Sequence, residues 1–165
     1  MMKNILVTGA TGNVGKAVIS YLFEKNTGHK IIAGVRNIEK ARAQFTNYDR
    51  LEFRKFDFMD VTTFDEALKS IDSLFLLRPP QISDVPKYFS PLIQKIKTQQ
   101  IKEIIFLSVQ GVEKSKVIPH NKIEKLVHNS GIDHIFLRPS YFMQNLTTTL
   151  LDDIQQENQI ILPAG

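Results

Sequence analysis

The sequence predicts an α/β fold of the Rossmann type, a doubly wound parallel sheet with helices on both faces. Through most of the 165 residues, short apolar segments of strand length alternate with segments of helical periodicity. That order is typical of right-handed βαβ crossovers and of a parallel sheet covered on both sides. In addition, three glycines spaced three apart, Gly9, Gly12 and Gly15, directly follow the first apolar segment. A glycine turn between a strand and a helix is typical of an anion-binding site, because glycine permits a sharp turn and the helix end offers unpaired N–H groups.

The N-terminal part of the chain contains three of the predicted strands. Residues 5–7 form a short apolar run that stops at the glycines. After the glycines, apolar residues recur at helical spacing on one face of the first predicted helix. The next segments predict, in order, a strand at 29–35, a short helix at 38–45, a strand at 51–56 and a helix at 61–70.

The C-terminal part continues the alternation with three more strands. The apolar run at 73–77 stops at Pro79 and Pro80, since proline has no N–H to donate into a sheet. A predicted helix at 84–100 carries apolar residues at helical spacing, and two prolines within it restrict its start and its regularity. The remaining segments predict a strand at 103–109, a helix at 119–129 that ends at Ser130 and Gly131, and a strand at 133–137.

The composition is that of a soluble globular domain, with 42% hydrophobic and 23% charged residues. No apolar run approaches the ~18 residues of a membrane helix, and the run at 5–7 is too short for a signal peptide. Zero cysteines exclude disulfides and thiolate sites, so we expect a cytoplasmic protein with no membrane partner. The net charge of +4 accompanies lysines spread along the chain, which indicates solvated helix faces rather than nucleic-acid binding.

The carboxyl ends of the strands define the predicted ligand crevice. In an open parallel sheet, a ligand lies across these ends at the point where the strand order reverses. There the sequence predicts a dinucleotide with its pyrophosphate on the glycine turn. The predicted cofactor-binding residues, grouped by the strand that they follow, are Gly9, Thr11, Gly12, Asn13, Val14 and Gly15; Arg36 and Asn37; Asp57 and Phe58; Leu76, Leu77 and Arg78; Ser108 and Val109; and Pro139, Tyr141 and Phe142.

Each group has a predicted contact with the dinucleotide. The amides of Asn13 and Val14 donate to the pyrophosphate, and the main chain of residues 76–78 runs beside the adenosine ribose. Asp57 contacts the adenine amine while Phe58 lines the adenine pocket, although Asp57 is equally suited to capping the next helix. The last two groups flank the nicotinamide. As alternatives, Ser108 is an ordinary loop residue and residues 141–142 belong to the core.

Arg36 bears on the choice between the two nicotinamide dinucleotides. A cofactor with free ribose hydroxyls requires an Asp or Glu after the second strand, and this chain has Arg36 and Asn37 there. Because a guanidinium suits a 2′-phosphate, the sequence predicts that NADP(H) is preferred over NAD(H). The alternative is that Arg36 is a surface arginine without a ligand.

His120 is the candidate catalytic residue. It follows Pro119 in the first turn of a predicted helix, on the crevice side, where a neutral imidazole can bind a ribose hydroxyl or pass a proton. The other three histidines, His29, His128 and His134, fall at strand starts or a helix end and are interpreted as structural. No HxH or HExxH spacing occurs, so no metal site is predicted.

Five motifs together resemble the NmrA-like branch of the atypical short-chain dehydrogenase/reductases, and within it the bacterial NAD(P)H:quinone oxidoreductase-like and azoreductase-like members. The resemblance covers essentially the whole chain. It implies NAD(P)H binding at the residues named above, and histidine at position 120 resembles the quinone-reductase-like subgroup, where many other relatives have lysine. The motifs are ILVTGATGNVG at 5–15, GVRN at 34–37, FLSVQGV at 106–112, HNKIEKLV at 120–127 and GIDHIFLRPSYFMQNL at 131–146.

Two departures from the family pattern bear on function. No tyrosine of this chain has a lysine four residues later, so the YxxxK pair of typical dehydrogenases is absent and a tyrosine general acid is unsupported. Relatives also continue well beyond position 165 with a small substrate-binding lobe. We therefore expect a truncated form, with residues 1–140 as the NAD(P)-binding domain and 141–165 as the start of that lobe.

Three functional hypotheses follow. The first is hydride transfer from NADPH to a quinone or azo-type acceptor, in which the cofactor performs the redox chemistry. The second is a non-catalytic NADP(H) sensor that acts through a regulatory protein partner. The third is a sugar-nucleotide or flavonoid-type reductase on the same scaffold.

Overall fold

A computed structural model describes residues 2–147 and 150–160 of the chain. Six parallel strands form one sheet, and this confirms the predicted fold class. The order across the sheet is β3-β2-β1-β4-β5-β6. The strands are β1 (Asn4–Val7), β2 (Lys30–Val35), β3 (Glu52–Lys55), β4 (Ser73–Leu77), β5 (Glu103–Leu107) and β6 (Asp133–Leu137).

Helices connect consecutive strands, as the alternating sequence pattern requires. They are α1 (Asn13–Glu24), α2 (Ile38–Arg42), α3 (Phe64–Leu68), α4 (Val85–Thr98) and α5 (Pro119–Asn129), with α6 (Leu151–Glu157) after the last strand. The predicted helix at 61–70 is divided into a 3-10 turn at Val61–Thr63 and α3. The division arises because Asp60 caps the turn, accepting a hydrogen bond from the Thr62 amide at 3.1 Å.

Two apolar layers hold the helices against the sheet. On one face, α3, α4 and α5 bury residues such as Phe64, Phe89 and Ile123 against Leu74 and Phe106 of the strands. On the other face, α1 and α2 pack against alternate strand residues, because successive side chains of a strand point to opposite faces. These buried layers explain why the strands are apolar runs rather than alternating polar and apolar segments.

The two prolines of α4 have different positions in that helix. Pro86 lies in the first turn, where its missing N–H leaves no bond unmade, and Asp84 caps the turn by accepting from the Lys87 amide at 3.0 Å. Pro91 lies inside the helix, which nevertheless continues to Thr98. The apolar face of α4 is buried across Pro91, and this packing holds the helix together.

The strand order places the switch point between β1 and β4. From β1 the chain proceeds through β2 to β3 on one side, and then returns to β4 on the other side. The loops that leave β1 and β4 therefore diverge and open a crevice at the carboxyl ends of these strands. The predicted site residues follow those ends.

The segment after β6 contains a 3-10 helix at Met143–Thr147 and then α6. The side chains of Tyr141 and Met143 are exposed there. Residues 161–165, part of the predicted start of a further lobe, lie outside the described residues. None of the helices within residues 2–147 and 150–160 combines the length and apolar character needed to cross a membrane.

Candidate functional site

The glycine turn after β1 is built so that no side chain fits at its third glycine. A Cβ on Gly15 would lie 2.3 Å from the Gly9 carbonyl oxygen and 2.7 Å from the Cα of Ala10. Gly9 has a φ of +59°, which favours glycine, and it faces the Leu77 side chain of β4. The turn closes with a 3.0 Å hydrogen bond from the Gly12 amide to the Gly9 carbonyl. The first turn of α1 is thus held directly against the loop.

The N-terminus of α1 presents free hydrogen-bond donors to the crevice. Gly12 precedes the helix, no side chain caps it, and its first turn has no acidic residue. Within the part of the chain that the structure describes, the amides of Asn13, Val14 and Gly15 make no hydrogen bond. These donors and the positive end of the helix dipole form an electrostatic environment that attracts an anion.

Thr8 joins the ends of β1 and β4 beneath the crevice. Its side chain is fully buried. The hydroxyl accepts a hydrogen bond from the Leu77 amide at 2.8 Å and donates to the Phe75 carbonyl at 3.2 Å. This residue, which the sequence analysis did not single out, fixes the spacing of the two strands at the switch point.

Arg36 is exposed directly after β2 and forms no hydrogen bond or ion pair with any residue in the described ranges. Arg54 of β3, by contrast, is bonded to Glu52 and to the Lys69 carbonyl. Asn37 has a structural role, because its side-chain oxygen caps α2 by accepting from the Lys40 amide at 2.9 Å. Arg36 therefore has the freedom that a phosphate ligand requires, while the predicted cofactor contact of Asn37 stays a prediction.

The turn after β3 contains Asp57 and Phe58. One carboxylate oxygen of Asp57 accepts from the Met59 amide at 2.9 Å, and the helical turn that follows is capped by Asp60 instead. The ring of Phe58 is 4% exposed and packs edge-on against Phe56. The ring therefore lies in the core, and the predicted contact of Phe58 with the adenine stays a prediction.

His120 lies in the first turn of α5 and stacks on the ring of Phe106, with centroids 5.9 Å apart. Its Nε2 accepts a hydrogen bond from Nε of Arg78 at 3.4 Å. Burial is the main cause that lowers the pKa of His120 from 6.5 to about 4; the Arg78 charge lowers it further, and the Glu124 carboxylate partly opposes both. His120 is therefore neutral at physiological pH.

The side chain of Arg78 has contacts that the prediction, which concerned only its main chain, did not address. Its guanidinium turns back onto the β4–α4 loop and donates to the carbonyls of Pro79, Pro80 and Ile82 at 3.0, 2.9 and 2.8 Å. The leucine before it, Leu77, contacts the glycine turn, and Leu76 is fully buried in the core. The loop is thus folded around the same side chain that reaches His120.

A bidentate ion pair between Glu124 and Arg138 ties α5 to the end of β6. Arg138 donates from Nε at 3.0 Å and from a terminal nitrogen at 2.6 Å to the two carboxylate oxygens. Burial raises the pKa of Glu124, but the hydrogen bonds from Arg138, the nearby Ser108 hydroxyl and the Arg138 charge outweigh it, so that the net pKa lies below 4.5. Glu124 is an anion that belongs to this pair.

Ser108 and Asn121 bring buried polar atoms to the same region. The Ser108 hydroxyl is 2% exposed and has no partner within 3.5 Å, although it is close enough to Glu124 to lower the pKa of that carboxyl. Asn121 donates to the Val112 carbonyl at 3.0 Å, and its side-chain oxygen is buried without a partner. The Ser108 hydroxyl thus differs from that of an ordinary loop serine with a hydrogen-bond partner, and its contact with a nicotinamide stays a prediction.

The remaining predicted residues lie along the ends of β5 and β6. The Gln110 amide donates to the Pro139 carbonyl at 2.9 Å, so the segments after both strands stay side by side, with Val109 half-buried between them. Tyr141 and Phe142 are 48% and 36% exposed, so the alternative that they are core residues is wrong. Whether they contact a nicotinamide stays a prediction.

The three histidines outside the crevice contact protein atoms. His128 and His134 contact each other at 3.4 Å, and Nδ1 of His29 accepts from the Lys3 amide at 3.3 Å. Across residues 2–147 and 150–160, no group of three or more His, Cys, Asp or Glu side chains is placed to hold a metal ion.

The parallel sheet, the switch point and the uncapped helix behind a glycine turn define a Rossmann domain of the dinucleotide-binding class. The chain belongs to the NmrA-like family, whose sequence profile matches residues 1–164. This finding confirms the resemblance carried by the five sequence motifs.

Three known proteins illustrate the similarity. Prestalk A differentiation protein A of Dictyostelium discoideum is 35% identical over 162 residues, which cover 98% of this chain and 52% of that protein. NAD(P)H azoreductase of Xenophilus azovorans is 27% identical over 165 residues, covering 98% of this chain and 56% of that protein. The crystal structure of the NADPH-dependent quinone oxidoreductase QOR2 of Escherichia coli, complexed with NADPH, superposes with a TM-score of 0.79 at 26% identity and covers 93% of this chain and 54% of that one. The chain thus spans about half the length of the relatives that it matches.

Proposed function

We propose that this chain forms the NADPH-binding part of a reductase that transfers a hydride to a quinone-like or azo-type acceptor. The observation that carries the proposal is the crevice at the switch point, where three free amides of α1 stand behind a glycine turn that excludes any side chain. A site of this form suits the pyrophosphate of a dinucleotide. Two of the similar proteins support the redox class: one is an NAD(P)H azoreductase and one an NADPH-dependent quinone oxidoreductase.

The residues present fit the phosphate groups of NADPH. The space that a Cβ at Gly15 would fill is occupied by the loop backbone, so that the first turn of α1 packs directly on the loop and its amides can face a pyrophosphate bound there. Arg36 supplies an exposed, unpaired guanidinium at the end of β2, where the 2′-phosphate of NADP(H) would lie. The proposal therefore includes a preference for NADP(H) over NAD(H).

NADPH would supply the hydride: its C4–H bond breaks, the acceptor gains two electrons and the hydrogen, and the acceptor anion then takes a proton. With a pKa of about 4, His120 carries no second proton at neutral pH. Water is therefore the proton source for a reduced quinone, and His120 contributes a hydrogen bond rather than a proton. The chain needs no tyrosine acid for this reaction, consistent with the absence of a YxxxK pair.

The acceptor would lie beside the segment that follows β6. Tyr141 and Phe142 are exposed aromatic side chains next to the crevice-forming strand ends, and flat aromatic acceptors stack well on such rings. We propose that residues 141–165 begin an acceptor-binding lobe, as the greater length of the relatives suggests. Acceptor specificity would then depend on that lobe.

The test has two steps. Titration with NADPH and NADH establishes binding, and NADPH oxidation is then followed with a panel of quinones and azo dyes, using the natural full-length protein. The expected result is turnover with at least one acceptor and none without it. Tight NADPH binding without turnover on any acceptor would overturn the reductase proposal, and absence of NADPH binding would overturn the cofactor assignment as well.

A further inference from the structure

Arg78 is half-buried, and its guanidinium contacts both the β4–α4 loop and His120. One terminal nitrogen donates to three carbonyls of the β4–α4 loop, at 2.8 to 3.0 Å. The remaining Nε–H points to the His120 ring and lies 3.4 Å from Nε2. Because the guanidinium is planar, the loop carbonyls that hold one end also fix the direction of the Nε–H bond.

Because the donor is an arginine, the His120 nitrogen that carries the proton can be assigned. Arginine has only N–H donors and stays protonated, so Nε2 of His120 must be the acceptor. A neutral imidazole that accepts at Nε2 carries its proton on Nδ1. Within residues 2–147 and 150–160, Nδ1 of His120 has no hydrogen-bond partner, so its N–H is free for a ligand.

We propose that Arg78 is a positioning residue, which holds His120 as the neutral tautomer with the proton on Nδ1, so that the ring presents a hydrogen-bond donor to an oxygen atom of the bound cofactor or acceptor. The inference deepens the proposed function and rests on it for the ligand. The ring is further fixed by Phe106, on which it stacks at an interplanar angle of 26°.

The charges around His120 agree with a neutral ring. Arg78 faces it from the β4–α4 loop, and Glu124 lies one turn further along α5. Glu124 is engaged by Arg138 from the end of β6, so its carboxylate is largely neutralised by a closer partner. Phe106 of β5 adds no charge. The balance lowers the pKa of His120 to about 4, well below neutral pH.

Nitrogen-15 NMR of the imidazole rings in the ligand-free protein tests the tautomer directly. His120→Gln identifies the signal among those of the four histidines. The expected result is a proton on Nδ1 and none on Nε2 from pH 5 to pH 8. A wild-type ring protonated on Nε2 would overturn the proposal without any variant, and the measurement requires no turnover, so it is independent of the reductase test.

Arg78→Met removes the donor while keeping an unbranched side chain. Both tautomers of His120 should then be populated, and its pKa should rise above about 4 but stay below 6.5, because burial, the larger cause of the lowered pKa, remains. An unchanged tautomer and titration in Arg78→Met would overturn the proposal.

Arg54→Met is the matched control, because Arg54 also donates to three main-chain carbonyls, those of Glu66 and Ala67 in α3 and of Lys69 just after it, on the β3 side of the sheet. It should destabilise the protein in the same manner without changing the spectrum of His120. A change of the His120 spectrum in Arg54→Met equal to that in Arg78→Met would show a general loss of structure and overturn the specific role.

Addition of NADPH and then of a quinone identifies the ligand oxygen. A shift of the Nδ1 resonance with NADPH alone assigns the hydrogen bond to the cofactor, and a shift only after the quinone is added assigns it to the acceptor. No shift in either case, with binding confirmed separately, would overturn the role of His120 as a donor.

Discussion

Gly15→Ala provides the sharpest test of the glycine turn. The new methyl group would lie 2.3 Å from the Gly9 carbonyl oxygen, whereas ordinary contacts begin at 3.4 Å. The first turn of α1 or the loop must therefore move by about 1 Å, and the obstacle is backbone on both sides. Overpacking of this kind costs about 1–3 kcal/mol, against a gain of about 1 kcal/mol in helix propensity.

The larger effect is expected on cofactor binding. A displacement of about 1 Å carries the amides of Asn13 and Val14 away from the position in which they would face a pyrophosphate, and a loss of 1.4 kcal/mol in binding is a factor of ten in affinity. We expect Gly15→Ala to weaken NADPH binding at least tenfold, measured by titration, with a modest loss of stability in urea unfolding.

Gly131→Ala separates the loss of stability from the loss of affinity for NADPH. Gly131 has a φ of +75° with open space around it, far from the glycine turn, so alanine there costs about 1–2 kcal/mol through backbone strain alone. This variant should lose stability and keep its affinity for NADPH. If Gly15→Ala bound NADPH as tightly as the wild type, the close approach of α1 and the loop would not form the phosphate site, and the reasoning would be refuted.

Three further changes test other parts of the crevice. Arg36→Ala should reduce the affinity for NADPH about tenfold or more and leave that for NADH unchanged, because only NADPH carries the 2′-phosphate; equal losses for both would contradict the assignment. Thr8→Val should destabilise the protein by about 1–3 kcal/mol in urea unfolding, since the buried Leu77 amide loses its acceptor, whereas Thr8→Ser, which keeps the hydroxyl, should lose much less. Glu124→Gln should be less stable than the wild type at pH 7 and approach it as the pH falls below 4.5. The folded-state pKa of Glu124 is lowered, so the stabilisation is present above the unfolded value and lost as the pH falls through the folded one; a stability difference independent of pH would show that the Arg138 pair contributes nothing.

The sequence determined the sheet, its connections and the place of the crevice. Apolar runs such as residues 73–77 and the glycine turn are local patterns, and the rule that ligands lie at the carboxyl ends of parallel strands converts them into a site. The exact ends of the helices were harder to predict from the sequence, because side-chain caps such as Asp60 determine where a helical turn begins. The five sequence motifs indicate the family, and the match of the NmrA-like family profile to residues 1–164 confirms it.

Tertiary structure decided where the polar side chains point. The ring of Phe58 turns into the core, Thr8 bridges two strands, and Arg78 folds back onto its own loop to reach a histidine 42 residues further along the chain. Each of these side chains also contacts a residue distant in sequence, Phe89 in the case of Phe58, and neither periodicity nor residue type specifies that contact. Burial and the nearby charge of Arg78, which lower the pKa of His120, exist only once those elements have come together.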